Sequence, residues 1–212
     1  EYTAIARSYS LSVLLLFLFC TLFENRKKNI IKISIILFLL SHTSIFGIFI
    51  SLCLYLTIIS EKIIEVLFQK QSLKIFFRKS FLFSLSIFFM GLFTSILQIL
   101  PPKDGTFANS KIYFPNANKI FSVSKSSIQS YFPLPNLKIN FWGSSFAEKS
   151  TFLEIIFIVA FILIVFIFIN YFFRRPSSLF FYISSSTLLL TFFLFKFGGN
   201  LRHYGFLFLI LL

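Results

Sequence analysis

The sequence is poor in acidic side chains, cysteine and glycine, and each shortage excludes a class of function. It has seven Asp and Glu residues against 20 Lys and Arg residues, two cysteines and seven glycines. Cys20 and Cys53 lie in apolar runs without metal-ligand spacing, which predicts buried thiols and neither a disulfide framework nor a zinc site. No Gly-rich nucleotide-phosphate loop and no nucleophile elbow is present. We therefore expect no metal, no cofactor and none of the soluble-enzyme chemistries that depend on those motifs.

Apolar residues, by contrast, are abundant and continuous. They make up 57% of the 212 residues, with 35 Phe and a mean hydropathy of +0.88, whereas an average soluble domain is roughly 45–50% apolar. They form runs of about 20 residues, long enough to cross ~30 Å of hydrocarbon. We therefore predict an all-α polytopic transmembrane bundle, with residues 1–212 forming a single integral membrane domain of the cell membrane.

The apolar runs predict about six complete spans and one truncated span. Residues 30–60 would form a helix ~46 Å long if continuous, which requires a tilt beyond the usual range. The interruption "SHTSIFG" instead predicts a hairpin of two short helices with His42 near its tip. The other predicted spans are 3–23, 81–100, 152–173, 179–197 and a truncated one from Phe206. Because the chain starts in a loop pattern and stops in an apolar run, we expect an internal fragment of a larger protein.

Basic residues predict the orientation of these spans. With the hairpin, one face carries Arg26, Lys27, Lys28, Lys32, Lys62, Lys70, Lys74, Arg78, Lys79, Arg174 and Arg175. The short segments of the other face carry only Arg7, Lys196 and Arg202, and lysines in a long loop count little. The basic face is therefore predicted to be cytoplasmic, with 61–80 as an interfacial helix and 101–150 as a long extracytoplasmic loop. Lipid headgroups, rather than nucleic acid, explain the net charge of +13.

The few ionisable groups of the opposite face form the candidate site. The orientation places Glu1, Arg7, Tyr9, His42, Asp104, Arg202 and His203 at one depth, at the outer edge of the hydrocarbon. Such groups are costly at membrane depth and usually functional. Arg offers a planar fork of donors to phosphate oxygens, and His can donate or move a proton near neutral pH. A lipid phosphate is therefore the expected ligand.

Structural alternatives stay open for each of these residues. Arg7 and Arg202 could be interface anchors, and His42 could be a helix-end residue satisfied by backbone carbonyls. Asp104 follows two prolines in a sequence typical of a turn. Lys196 is expected to extend to the headgroups, and Glu154 is either a lone interfacial acid or a cavity residue.

Several motifs resemble a known family. "EYTAIARSYSLSVLLLFLF", a basic turn and "LLSHTSIFGIFI" resemble the bacterial multi-pass glycosyltransferases of the GT-C superfold. The closest members use polyprenyl-phosphate sugars and are akin to protein O-mannosyltransferases and aminoarabinose transferases. Residues 6–11 and His42-Thr43 occupy the places of family motifs, and "PPKDGTFA" and "LRHYGFLFL" look like elements of such proteins.

The resemblance implies transfer of a sugar from a polyprenyl-phosphate donor to an envelope acceptor at the outer face of the bacterial inner or plasma membrane. It implies donor-phosphate binding by Arg7, Arg202 and His203, and orientation of donor or acceptor by Glu1, Tyr9, His42 and Asp104. The catalytic base of such enzymes lies in the first outer loop, which we expect upstream of Glu1. Two other functions stay open: an envelope polysaccharide polymerase or ligase, and a lipid or solute transporter without chemistry. A transporter would favour broken helices and inverted repeats.

Overall fold

The described part of the chain is mostly helical and contains no strand. The computed structural model describes residues 2–68, 76, 78–100, 114–132, 134, 145–199 and 201–211, with side chains from Tyr9 onward. The elements are α1 (Tyr2–Phe23), α2 (Arg26–Ser41), α3 (Ile45–Phe68), α4 (Lys79–Ile99), α5 (Ala117–Ser130), a 3₁₀ turn (Phe146–Lys149), α6 (Thr151–Phe173), α7 (Pro176–Phe195) and α8 (Leu201–Leu211). The all-α prediction is confirmed. The chain packs as two compact units, Glu1–Ala108 and Asn109–Leu212, and the single integral membrane domain stays a prediction.

Four of the described helices, α3, α4, α6 and α7, are long and apolar enough to cross a membrane. The part of α1 whose side chains are described, Tyr9–Phe23, and the whole of α8 are shorter apolar segments. Helix α6 is the clearest case, since it is apolar all round and buries none of its 23 residues. A helix of that kind is stable only where hydrocarbon replaces water around it. The fold is therefore that of a membrane protein, and the count of six complete spans stays a prediction.

The predicted hairpin is confirmed, with its turn where the polar residues interrupt the apolar pattern. Helix α2 ends at Ser41 and α3 begins at Ile45. The Thr43 hydroxyl donates to the Leu40 carbonyl at 2.8 Å, and the Gly47 amide donates to Ser44 Oγ at 3.1 Å. These hydroxyls satisfy backbone groups that helix ends leave unpaired. The polar residues are therefore what allows two helices to end here.

Unit 1 packs around α2, which contacts α1, α3 and α4. A buried hydroxyl cluster joins three helices: Ser34 and Ser84 are 2.6 Å apart, and the Tyr55 hydroxyl lies 3.0 Å from Ser84 Oγ. Close approach of α2 and α4 is possible because Gly91 faces Phe38, whose Cδ2 would lie 2.7 Å from an added Cβ. Small residues and shared hydroxyls are the usual means of joining helices in a membrane, where hydrophobicity alone does not attract them.

Unit 2 contains a helix inside the stretch predicted to be an outer loop. Helix α5 contacts α6, α7 and α8. The Tyr131 ring, just past its end, packs 4.9 Å from the ring of Phe161, which lies ten residues and ~15 Å beyond the first residue of α6. The end of α5 therefore lies beside the middle of a candidate span. Residues 101–113, 133 and 135–144 of the predicted loop lie outside the described residues.

Helix α3 continues through Phe68, so residues 61–68 are its last turns. Residues 69–75 and 77 lie outside the described part, and the interfacial helix over 61–80 stays a prediction. Cys53 is buried as predicted, but Cys20 is exposed on α1. A cysteine in an apolar helix is buried within the protein only if its side of the helix packs against another helix.

Candidate functional site

The described candidate residues fall into two pairs. Tyr9 and His42 belong to unit 1, and Arg202 and His203 belong to unit 2. Glu1, Asp104 and the side chain of Arg7 lie outside the described residues, although the backbone of Arg7 is part of α1. The predicted meeting of all these groups at one depth therefore stays a prediction.

Within unit 1 the structure brings Tyr9 and His42 to the same end. Ser12 Oγ donates to Thr43 Oγ1 at 2.8 Å, so the first half of α1 lies beside the hairpin tip. Half-buried Tyr9 is one turn before Ser12 on the same helix. Ser12 is fully buried, and it was missed by the sequence analysis because a serine in an apolar helix carries no signal of its partner.

His42 is held by hydrogen bonds at both ring nitrogens. Its Nδ1 lies 2.8 Å from the Phe38 carbonyl oxygen and its Nε2 lies 3.0 Å from Thr94 Oγ1 on α4. A carbonyl only accepts, so Nδ1 donates to the Phe38 oxygen. The Thr94 hydroxyl next to Nε2 also donates to the Met90 carbonyl of its own helix at 2.8 Å. The ring also stacks on Phe38 at 4.6 Å. These contacts match the alternative in which His42 is a helix-end residue whose ring is satisfied by a backbone carbonyl. The contact with Thr94 also links the hairpin tip to α4.

Replacement of Thr94 by Val tests this link. We expect Thr94→Val to lower the free energy of unfolding by about 0.6–1.7 kcal/mol, because it leaves His42 Nε2 without its partner at nearly constant shape. The measurement is the unfolding midpoint of the purified protein in detergent. Ser86→Ala is the matched control, since Ser86 is an exposed α4 hydroxyl that bonds the Leu82 carbonyl of its own helix. Equal small losses in both variants would contradict the link.

Arg202 and His203 occupy the first turn of α8, behind a tight glycine turn. Gly199 has φ +64°, a conformation that glycine adopts without strain. The Tyr204 hydroxyl donates to the Gly198 carbonyl at 2.7 Å, and the Tyr204 ring stacks on Phe193 at 4.1 Å. His203 packs edge-on to Phe197 at 5.1 Å. Tyr204 therefore fixes the turn that positions both candidate residues, a role that the sequence analysis missed.

The Arg202 guanidinium has no counter-charge in the described part of unit 2. The residue is half-buried, and its Nε is shielded from solvent without a hydrogen-bond partner. The first turn of α8 contains no acidic residue, and a cation at a helix N-terminus is disfavoured by the helix dipole. Of the two described carboxylates of this unit, Glu154 is paired with Lys125 at 2.6 Å and Glu148 forms no salt bridge. An anion bound at Arg202 would relieve both costs.

Two more buried polar atoms of unit 2 lack partners. They are Gln129 Nε2 on α5 and Ser186 Oγ on α7, and Gln129 is only 6% exposed. Together with Arg202 Nε they are all the orphaned buried side-chain atoms found among the described residues. Buried polar atoms normally have partners, so each of them points to a ligand or ordered water. The sequence analysis missed Gln129 because a glutamine in a polar stretch looks like a surface residue.

The described residues contain no group of three or more His, Cys, Asp or Glu side chains that could hold a metal ion. Comparison with known proteins finds no match: no family, no curated protein and no solved structure matches this chain. The resemblance to GT-C glycosyltransferases therefore depends on the sequence motifs alone.

Proposed function

We propose that this chain belongs to a membrane glycosyltransferase that moves a sugar from a polyprenyl-phosphate donor to an envelope acceptor at the outer face of the membrane. Arg202 and His203 bind the lipid phosphate, with Arg7 as a further cation. Tyr9, His42, Asp104 and Glu1 orient donor or acceptor. His42 does so as a positioning residue, because both of its ring nitrogens already have protein partners.

The observation that carries the proposal is the uncompensated guanidinium of Arg202. A half-buried arginine with a shielded, unpartnered Nε is costly, and such a group is usually retained for a ligand that completes it. A phosphate matches the planar donor fork of arginine better than a carbonyl or hydroxyl does. Its location supports a lipid phosphate in particular, because α8 is an apolar helix that contacts the candidate span α7.

The proposed reaction is favoured by positive charge next to the departing polyprenyl phosphate. An acceptor oxygen forms a bond to the anomeric carbon while the bond from that carbon to the phosphate oxygen breaks, through a transition state with oxocarbenium character. The acceptor proton goes to a carboxylate base of the kind that the resemblance implies, and the bonding electrons leave with the polyprenyl phosphate. Charge on the departing phosphate grows along the reaction, so a fixed guanidinium stabilises the transition state more than the bound donor.

A donor comparison tests the proposal. The intact protein in proteoliposomes is supplied with polyprenyl-monophosphate sugars and, in parallel, with oligosaccharides on polyprenyl pyrophosphate. We expect single-sugar transfer from the monophosphate donors only. Chain growth or block transfer from the pyrophosphate carriers would instead identify a polymerase or ligase. Movement of either lipid across the bilayer without loss of its sugar would identify a transporter.

A further inference from the structure

A charged cavity lies at the end of unit 1 that is rich in Lys and Arg residues. It has a volume of about 230 Å³ and is formed where α2 begins, α3 nears its end and α4 begins. Its charged side chains are Arg26, Lys27, Glu61, Lys62, Glu65 and Arg78. Ile58 and Phe81 form an apolar wall. A cavity lined by both cations and apolar side chains matches an amphiphilic ligand.

The cations of this cavity exceed its carboxylates. Glu61 accepts two hydrogen bonds from Arg26, one of them 3.1 Å between Nη2 and Oε1. Glu65 pairs with Lys27 at 2.7 Å. Each carboxylate therefore has its own cation.

Lys62 and Arg78 are the surplus, since neither forms a salt bridge with a carboxylate in the described part of unit 1. Lys62 Nζ instead lies 4.0 Å from the centre of the Phe81 ring. The intervening sequence, 66–77, adds Lys70 and Lys74 but no acidic residue that could neutralise them. With four cations against two carboxylates, the lining keeps two positive charges.

The cavity lies at the level where the apolar part of α3 ends. Buried Ile58 is followed within a turn by Glu61, and helix α4 starts beside it at Lys79. For helices that cross a membrane, this change from apolar to charged residues marks the headgroup region. A ligand entering here would meet cations at its head and Ile58 and Phe81 beside its first methylene groups. Basic pockets at helix ends are typical sites for anionic lipid headgroups.

We infer that this cavity binds the phosphate group of an anionic glycerophospholipid, held by Lys62 and Arg78 and bordered by Phe81. This site belongs wholly to unit 1 and is separate from the donor phosphate proposed at Arg202. The ion pairs at Glu61 and Glu65 then have a defined role: they keep Arg26 and Lys27 beside the cavity while leaving the two surplus cations for the ligand.

Lipid titration of the intact protein, purified in an uncharged detergent, tests the inference by native mass spectrometry. The probes are phosphatidylglycerol and phosphatidylcholine with identical acyl chains. We expect the double variant Lys62→Gln/Arg78→Gln to bind phosphatidylglycerol at least about tenfold more weakly than the unchanged protein, since each headgroup-level cation contributes about fivefold. The control, Lys32→Gln/Lys79→Gln, removes the same charge from exposed positions at the same end that do not line the cavity. It should retain binding within about twofold to threefold.

Equal weakening in the two double variants would mean a diffuse surface attraction and would overturn the inference, as would equal affinity for both lipids. If millimolar inorganic phosphate competed as effectively as phosphatidylglycerol, the cavity would bind free phosphate rather than a lipid headgroup, and the inference would be wrong. If Lys62→Gln disturbs folding through Phe81, the single variant Arg78→Gln serves, because Arg78 is exposed and its side chain provides no cap for α4. The result is independent of glycosyl transfer.

Discussion

Replacement of Arg202 by Gln should lower kcat/KM for transfer from a polyprenyl-phosphate sugar by about 10²–10³-fold, equivalent to about 2–4 kcal/mol of transition-state stabilisation. The reason is that Gln keeps the length and polarity of the side chain but removes the charge that faces the leaving phosphate. Binding of the sugar-free carrier should weaken too, because phosphate is present in both. The measurements are initial rates in proteoliposomes and the thermal shift on addition of polyprenyl phosphate.

Lys196→Gln is the matched control for this variant. Lys196 is exposed at the end of α7, six residues before Arg202, so its replacement removes one positive charge from the same connection. We expect its rate to change by less than about threefold, since an exposed cation contributes little to a fixed site. Polyprenol without phosphate should give no thermal shift in either variant. Normal transfer by Arg202→Gln, or equal losses in both variants, would remove Arg202 from the proposed site.

The helices and the hairpin could be predicted because they depend on local pattern. Runs of apolar residues mark α3, α4, α6 and α7, and the hairpin turn follows from the excessive length of a single helix together with the polar residues 41–44. Helix α5 could not be predicted this way. Its Ser- and Lys-rich sequence resembles a surface loop, and one side of its second half is buried only because α5 contacts α6, α7 and α8. Burial of this kind depends on contacts between distant segments.

A candidate residue could be predicted from sequence where its residue type is rare among its neighbours. Few cations lie near the span ends that the sequence predicts to be outer, so Arg202 could be singled out from sequence, and the structure adds that its Nε is shielded and unpartnered. Gln129 and Tyr204 could not be singled out. Gln129 is of interest because its buried Nε2 has no partner, and Tyr204 because its hydroxyl donates to the Gly198 carbonyl. Both properties depend on how the helices pack, which the sequence does not show. The Arg26–Glu61 pair was missed for the same reason, since 35 positions separate its members.

Gly47→Ala should produce the largest loss of stability among single changes in the hairpin, about 1–3 kcal/mol in the free energy of unfolding. An added Cβ would overlap the Leu40 carbonyl oxygen and lie 2.6 Å from Thr43 Oγ1. The carbonyl belongs to the last turn of α2, so it can move only if the two helices separate. The hydroxyl of Thr43 is held between Leu40 and Ser12. The methyl group should therefore open the α2–α3 turn and disturb the position of His42 next to it.

Gly205→Ala should raise the free energy of unfolding instead of lowering it. It therefore controls for the effect of replacing glycine by alanine in a helix. Gly205 is also helical, but nothing lies within 4 Å of an added Cβ, so alanine should stabilise α8 by about 0.8–1 kcal/mol through helix propensity. Gly91→Ala should fall between the two, because its obstacle is chiefly the Phe38 side chain, whose ring can turn. Unfolding midpoints in detergent should rank Gly205→Ala above the unchanged protein, then Gly91→Ala, then Gly47→Ala. If Gly47→Ala were as stable as Gly205→Ala, the close crossing of α2 and α3 would be wrong, and with it the position of His42.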